Sequence, residues 1–354
     1  MRFLITGDIH AMKAKDSKPS KDRITLVRQL FSDIKLICNQ RDIDCFIVNG
    51  DLWEDKFDPG IDTISCLYDI FNEYSVRSEI VLNCGNHDYP CYCLLDMFRF
   101  YNEGFIESKL FVVDKGGYKI INHNESIIYI LSWSKPDIFK DNINKIINNN
   151  INKKYKKLYL ITHCAVKEGR PSLEQKIDTS LSVGDLHPEE FSLVILSDYH
   201  NHQVIGRNVV YLGAPFPLCY GDSRNPGVWI LDTVKDSLEC VELPSFYPQF
   251  RHYDCKGDKF ESLPGYDPRN YNRITCPVYL EPEYKSRYPE SEILPVYGGV
   301  VNNDNVRIAV DNTSTEERMS AYIELRQPEV NKTKLMDTGI KHIKEALRCS
   351  TQEL

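Results

Sequence analysis

The sequence predicts an α/β protein: a two-layered β core flanked by helices, followed by a smaller, less regular α+β region. Three observations predict it. Apolar strand-like runs alternate with helix-period runs from Phe3 to Cys84, a βαβαβ rhythm that builds a parallel sheet with helices on its faces. From Ile127 to Leu243 strand-like runs dominate, and few helices separate the last of them. The chain has 354 residues, 42% of them apolar, which suits one large domain plus an appendage.

Taken in order, Phe3 to Thr6 is the first strand. Ile24, Val27, Phe31, Ile34 and Cys38 recur at three and four, which predicts a helix from about Ser20 to Asn39 with Ser20 as its cap. Cys45 to Asn49 is the second strand. Ile64, Leu67, Tyr68 and Phe71 mark a second helix from about Asp62 to Tyr74, and Ile80 to Cys84 is the third strand. Further strands are expected at Ile127–Ser132, Leu158–Thr162, Leu193–Ser197, Val209–Leu212, Val228–Asp232 and Leu238–Leu243, the last four as hairpins. Between them, Ile138 to Lys157 is dominated by Asn, Lys and Ile and reads as a low-complexity surface helix or loop. A break falls at Pro244 to Gln249, dividing a domain over 1–245 from a region over 250–354. In that region Val306–Val310 reads as a strand, and Glu316–Leu325 and Lys334–Arg348 as helices. Met336, Ile340, Ile343 and Leu347 form one apolar stripe on the last, suited either to its own domain or to a partner.

Composition excludes several classes. No apolar run approaches the ~18 residues that span a membrane. No basic leader precedes the strand beginning at Arg2, so a cytoplasmic protein is expected. The twelve cysteines are then expected as reduced thiols, mostly small core residues such as Cys45 and Cys84. A net charge of −8 is not the footprint of a protein that grips nucleic acid by bulk electrostatics. Bound divalent ions add local positive charge that a residue count omits, so a nucleic-acid substrate stays open, with a partner supplying part of the affinity.

Five short blocks carry the chemistry: Asp8-Ile9-His10, Gly50-Asp51, Gly85-Asn86-His87-Asp88, His163, and His200-Asn201-His202. Each follows an apolar run. In parallel α/β sheets ligands bind beyond the carboxyl ends of the strands, so the blocks converge on one edge. Asp8, His10, Asp51, Asn86, His163, His200 and His202 are candidate metal ligands. This is an oxygen and nitrogen set without sulfur, suited to Mn²⁺, Fe or Zn²⁺. A bridging carboxylate, assigned to Asp51, could hold two ions at ~3.5–4 Å and support in-line attack on a phosphoryl group. His87 remains over as a catalytic residue that protonates a leaving oxygen, with Asp88 expected to orient its ring. Gly7, Gly50 and Gly85 flank these residues and let the backbone turn sharply. His123, His187, His252 and His342 lack such settings and read as ordinary surface or core residues.

In order and content the blocks resemble the D-x-H, G-D, G-N-H-D, H and G-H-x-H signatures of the calcineurin-like metallophosphoesterase superfamily, over roughly residues 1–245. Within it the chain looks most like the SbcD-type nuclease subunit of SbcCD recombination and repair complexes, phage-encoded versions included. Gly50-Asp51-Leu52-Trp53-Glu54, Tyr211-Leu212-Gly213-Ala214-Pro215 and Gly227-Val228-Trp229-Ile230 carry that finer resemblance. It implies a four-layer α/β-β/α sandwich with a C-terminal capping and partner-binding region. One ion would be held by Asp8, His10, Asp51 and His202, the other by Asp51, Asn86, His163 and His200, with Mn²⁺ as the metal. The implied activity is 3′-to-5′ exonuclease and single-strand endonuclease cleavage of DNA. The implied partners are an SMC-like ATPase of the SbcC type and a second copy, through helices near Cys93 to Tyr101. Three positions depart from the pattern: Tyr199 and Thr162 where glycine is usual, and Glu54 where aspartate is usual.

Two other readings compete. A metallophosphoesterase acting on a small phosphodiester shares Gly-Asn-His-Asp. A non-catalytic scaffold could retain the fold, although every ligand-type residue is in place. Protein phosphatases of the superfamily carry Asp-Arg-Gly and Gly-Asn-His-Glu, where this chain has Glu54-Asp55-Lys56 and Asp88.

Overall fold

The computed structural model describes residues 1–12, 23–55, 60–75, 79–89, 95, 98, 109–149, 154–171, 179–222, 227–257 and 259–296. Two six-stranded sheets form its centre. The first has the order β12-β11-β1-β2-β3-β4, built from β1 (Arg2–Thr6), β2 (Cys45–Asn49), β3 (Glu79–Asn83), β4 (Leu110–Val113), β11 (Gly227–Asp232) and β12 (Ser237–Glu242). The second has the order β5-β6-β7-β8-β10-β9, from β5 (Tyr118–His123), β6 (Ser126–Leu131), β7 (Lys157–His163), β8 (Leu193–Ser197), β9 (Gln203–Val204) and β10 (Val209–Tyr211).

The strands alternate between two apolar layers, as side chains with a period of two must. Phe3, Ile5, Cys45, Ile47 and Val81 from the first sheet meet Ile128, Ile130, Tyr159, Ile161 and Ile195 from the second. On its outer face the first sheet presents Leu4, Phe46, Val48, Ile80 and Leu82. These pack under α1 (Arg23–Arg41) and α2 (Ile61–Ser75). The second sheet turns Ile127, Tyr129, Leu131, Leu160 and Val194 outward, under α3 (Pro136–Ile147). Burial on both faces explains why β2 and β6 read as unbroken apolar runs. The result is the α/β-β/α sandwich that the sequence predicts.

Several expectations shift. The Asn-rich stretch is not a bare surface segment: α3 buries Phe139, Ile143 and Ile146 at helical spacing and begins on Pro136. Strands β10 and β8 pair in parallel, so they are not a hairpin; β10 instead pairs antiparallel with β9, and β11 with β12. The short strands β4, β5 and β9 are not expected from the sequence. Residues Val306–Val310, Glu316–Leu325, Lys334–Arg348, the Ser20 cap and, apart from Leu95 and Phe98, the Cys93–Tyr101 segment lie outside the described residues.

A third sheet, β13 (Phe250–Asp254), β14 (Tyr271–Pro277) and β15 (Glu292–Val296), is wholly parallel. With α4 (Glu281–Arg287) it buries Ile274, Cys276, Tyr284 and Tyr288 in a cluster of its own. The Pro244–Gln249 stretch leading to it is clipped to α1. Ser245 and Tyr247 donate their hydroxyls to buried Asp33, at 2.7 and 2.8 Å. Among the described residues no helix is long and apolar enough to cross a membrane.

Candidate metal centre

At the carboxyl ends of the strands the apolar layer between the sheets gives way to a polar bridge. Asn49, the last residue of β2, donates to the Thr162 carbonyl and the Ser197 hydroxyl, both at 2.9 Å. Asn83, the last of β3, donates to Asn49 Oδ1 at 2.8 Å and to the Leu131 carbonyl at 3.0 Å. Strand ends of both sheets are thereby held in register beneath the loops that follow them.

Those loops interlock. Asp8 N–H donates to the Gly50 carbonyl and His10 N–H to the Asp51 carbonyl, each at 3.0 Å. Asp8, His10 and Asp51 hold φ of 52, 48 and 50°, and Asp198 one of 110°. Side chains rarely adopt this left-handed region, and such backbone clusters at functional sites. Gly50 has φ +87°, and a Cβ on it would lie 2.2 Å from His163 Nδ1, so no side chain fits there.

Asp51 is buried between two imidazoles. His163 Nε2 lies 3.4 Å from its Oδ1 and His10 Nε2 3.7 Å from its Oδ2. The His87 backbone N–H donates to Oδ1 at 2.9 Å. Burial alone would raise the Asp51 carboxyl, but His163, His87 and His10 hold it well below its ordinary range. Asp8, buried beside it, is pushed up to about 7 by burial, against the pull of His163 and His200. Burial opposes charge on His163, yet Asp51, Asp198 and Asp8 hold its ring well above the ordinary value. A field that stabilises a proton there also stabilises a cation.

The rings are oriented from behind. His163 Nδ1 donates to the Asn49 carbonyl at 3.0 Å, leaving Nε2 to face the carboxylates. His10 Nδ1 lies 2.9 Å from Glu54 Oε2, and Glu54 in turn meets Arg23 at 3.3 Å. Glu54, longer than the usual aspartate, therefore still reaches its histidine. Burial would lower His200, but Asp222, 3.4 Å from its Nδ1, brings it up to about 10. Carboxylate or carbonyl partners behind an imidazole are the usual support of metal-binding histidines.

A divalent ion suits these residues. The buried atoms His10 Nε2, His163 Nε2 and Asn86 Oδ1 have no hydrogen-bond partner. Buried polar atoms are otherwise almost always paired. Ligand atoms of Asp8, Asp51 and His163 lie within 4.8 Å of one another, as do those of His10, Asp51 and His87. The centre opens on a cavity of about 410 Å³, walled by His10, Asp51, Asn86, His87, His200 and Arg23 among others.

Of the nine residues singled out in the sequence, seven gather here: Asp8, His10, Asp51, Asn86, His87, His163 and His200. His202 is exposed, its Nδ1 donates to the Tyr211 carbonyl at 2.8 Å, the kind of support His163 receives from Asn49, and its ring lies 4.6 Å from that of Trp229. Asp88 differs from its expected role. Its carboxylate accepts from Leu52, Trp53 and Gly85 N–H at 3.0, 3.1 and 2.9 Å, and so is turned away from the His87 ring. That ring is held instead by the Glu54 carbonyl, to which Nδ1 donates at 2.8 Å.

Sequence reasoning missed Asp198, Asp222 and Arg23. For Asp198 a signal exists: Asp198-Tyr199-His200 repeats the spacing of Asp8-Ile9-His10, directly after β8. Tyr199 fits without strain on the core, stacked 4.8 Å from Tyr211.

The family profile described as calcineurin-like phosphoesterase matches residues 1–200. No curated protein sequence matches the chain. Among solved structures, the calcineurin-like phosphoesterase YfkN from Bacillus subtilis is similar at 15% identity. That match covers 68% of this chain and 88% of that one, with a TM-score of 0.41. A novel archaeal phosphodiesterase is similar at 14% identity over 69% of this chain and 100% of its own, TM-score 0.36. Purple acid phosphatase PPD1 from yellow lupin (Lupinus luteus) seeds is similar at 14% over 68% and 51%, TM-score 0.38. With the profile covering more than half its length and the histidines and carboxylates of both sheets drawn to one edge, the chain belongs to the calcineurin-like phosphoesterase family of metal-dependent phosphoester hydrolases.

Proposed function

We propose that the chain is a DNA nuclease of the SbcD type, cleaving phosphodiesters with two divalent ions, Mn²⁺ in the cell. Asp8, His10, Asp51, Asn86, His163, His200 and His202 would hold them, with Asp51 shared between the two. The single observation that supports this most is Asp51 itself, buried, with a different imidazole Nε2 facing each of its oxygens. Bound there, the ions would activate the attacking water and offset charge on the phosphoryl oxygens.

The chain's own residues account for the rest. Because His87 Nδ1 donates to the Glu54 carbonyl, the proton for the leaving oxygen departs from Nε2. Glu54 and Asp222 keep the His10 and His200 rings from turning. Arg23, fixed by Glu54 and by the His10 and Leu218 carbonyls, places a guanidinium on the cavity wall where a phosphate enters. The DNA assignment draws on Tyr211-Leu212-Gly213-Ala214-Pro215, which buttresses the His200 loop: Ala214 N–H donates to the His200 carbonyl at 3.0 Å. A homodimer working with an SMC-like ATPase of the SbcC type belongs to the same reading. The net charge of −8 favours the second reading, a small phosphodiester as substrate.

Purified protein with Mn²⁺, labelled DNA of several end types and bis(p-nitrophenyl) phosphate separates the two. DNA cleavage is expected. Turnover of the small diester alone would sink the nuclease assignment. His87→Ala should abolish cleavage and keep its ions; loss of the ions as well would refute its role as proton donor.

A further inference from the structure

We infer, resting on the two-ion reading above, that Tyr220 is a positioning residue through which the third sheet holds the turn that orients His200. The ion at His200 then depends on a side chain that touches neither the ion nor its ligands.

The turn runs from Leu218 to Asp222, between β10 and β11. It is tied to itself. Asp222 Oδ2 accepts from Leu218 N–H and Cys219 N–H at 2.8 and 2.9 Å, and Cys219 Sγ donates to Oδ1 at 3.2 Å. The turn therefore moves as one body. Two contacts join its far end to the metal centre. Asp222 Oδ2 stands 3.4 Å from His200 Nδ1. The Gly221 carbonyl accepts from Asn201 Nδ2 at 3.0 Å, one residue beyond His200.

Leu218 anchors the near end in the core outside the first sheet. The far end has no such burial, and Gly221, at φ +102°, lends it little stiffness of its own. Tyr220, half-buried between them, meets the third sheet. Its ring packs edge to face with Phe250 of β13, centroids 5.0 Å apart, and Phe250 stacks on Tyr271 of β14 at 4.5 Å. The guanidinium of Arg273, also on β14, lies 4.0 Å from the centre of the Tyr220 ring. Glu292 of β15 fixes that guanidinium at 2.7 Å. All three strands of the sheet thus contribute to the clasp. The Tyr220 hydroxyl lies 3.5 Å from the Tyr271 carbonyl, at the outer limit of a hydrogen bond. The ring, and not the hydroxyl, makes the hold.

Calorimetric titration of the full chain with Mn²⁺, beside thermal melting of the metal-free protein, tests this. Wild type and Tyr220→Phe should each bind two ions with the same affinities. Tyr220→Ala should bind one ion ~10-fold more weakly and the other as before, the scale of losing support behind a metal-binding imidazole. Phe250→Ala, which alters the third sheet and leaves the turn's own residues in place, should weaken the same ion. Because both act through one clasp, the double variant should bind that ion no more weakly than the worse single variant. Two ions at wild-type affinity in Tyr220→Ala would overturn the inference, and so would losses that add in the double variant. Both ions weakened alike with a falling metal-free Tm would also overturn it, since Tyr220 would then serve folding alone. No Mn²⁺ uptake by the wild type would defeat the two-ion reading itself, and this inference with it.

Discussion

A Cβ placed on Gly85 would lie 2.2 Å from Asp51 Oδ1 and 2.3 Å from Asp51 N. Neither atom can retreat, since both belong to the carboxylate loop at the middle of the centre. Gly85→Ala should therefore leave the fold intact by circular dichroism and lower phosphodiester turnover by about 100-fold, the scale of an ångström-sized misplacement. Asp88 poses the opposite case. Removing its carboxylate strands the N–H groups of Leu52, Trp53 and Gly85 in a buried setting. Asp88→Ala should cost on the order of 3 kcal/mol in urea unfolding. A loss of activity without loss of stability would instead put Asp88 in the chemistry. Most candidate residues are legible because a polar residue straight after a buried strand has few other reasons to be there. Asp198 hides because carboxylates are common in loops, and the neighbouring His200-Asn201-His202 offers a more conspicuous pair.

Strand ends, more than helices, place the chemistry. The strands β1, β2, β3, β7 and β8 are legible as apolar runs because both their faces are covered. The third sheet escapes notice because its strands alternate loosely and carry Tyr, Asn and Arg, as β14 does with Tyr271, Asn272 and Arg273. Helix α1 does a second task beyond covering the sheet, because Asp33 on its buried face anchors the chain that leads to the third sheet. Asp33→Ala leaves the Tyr247 hydroxyl buried without its acceptor and should lower unfolding free energy by about 2–3 kcal/mol. Turnover per folded molecule should hold. A matching loss of turnover would show that the Pro244–Gln249 clip also shapes the centre.

Across the whole molecule, an ion bound to the folded chain alone stabilises it by mass action. With free Mn²⁺ at 100 times its dissociation constant, each ion contributes about 2.7 kcal/mol. Differential scanning fluorimetry should show Tm rising by several degrees with Mn²⁺ and returning with chelator. A Tm indifferent to both would contradict a centre shared by two sheets. That sharing also bears on how the protein is made. Asp8, His10, Asp51, Asn86 and His87 follow strands of the first sheet, whereas His163 ends a strand of the second and His200 follows another. The first sheet is itself closed last, because β1 lies between β2 and β11. A chain emerging from the ribosome therefore carries five of these residues by His87 but cannot bring them against their counterparts until β8 and His200 have been added.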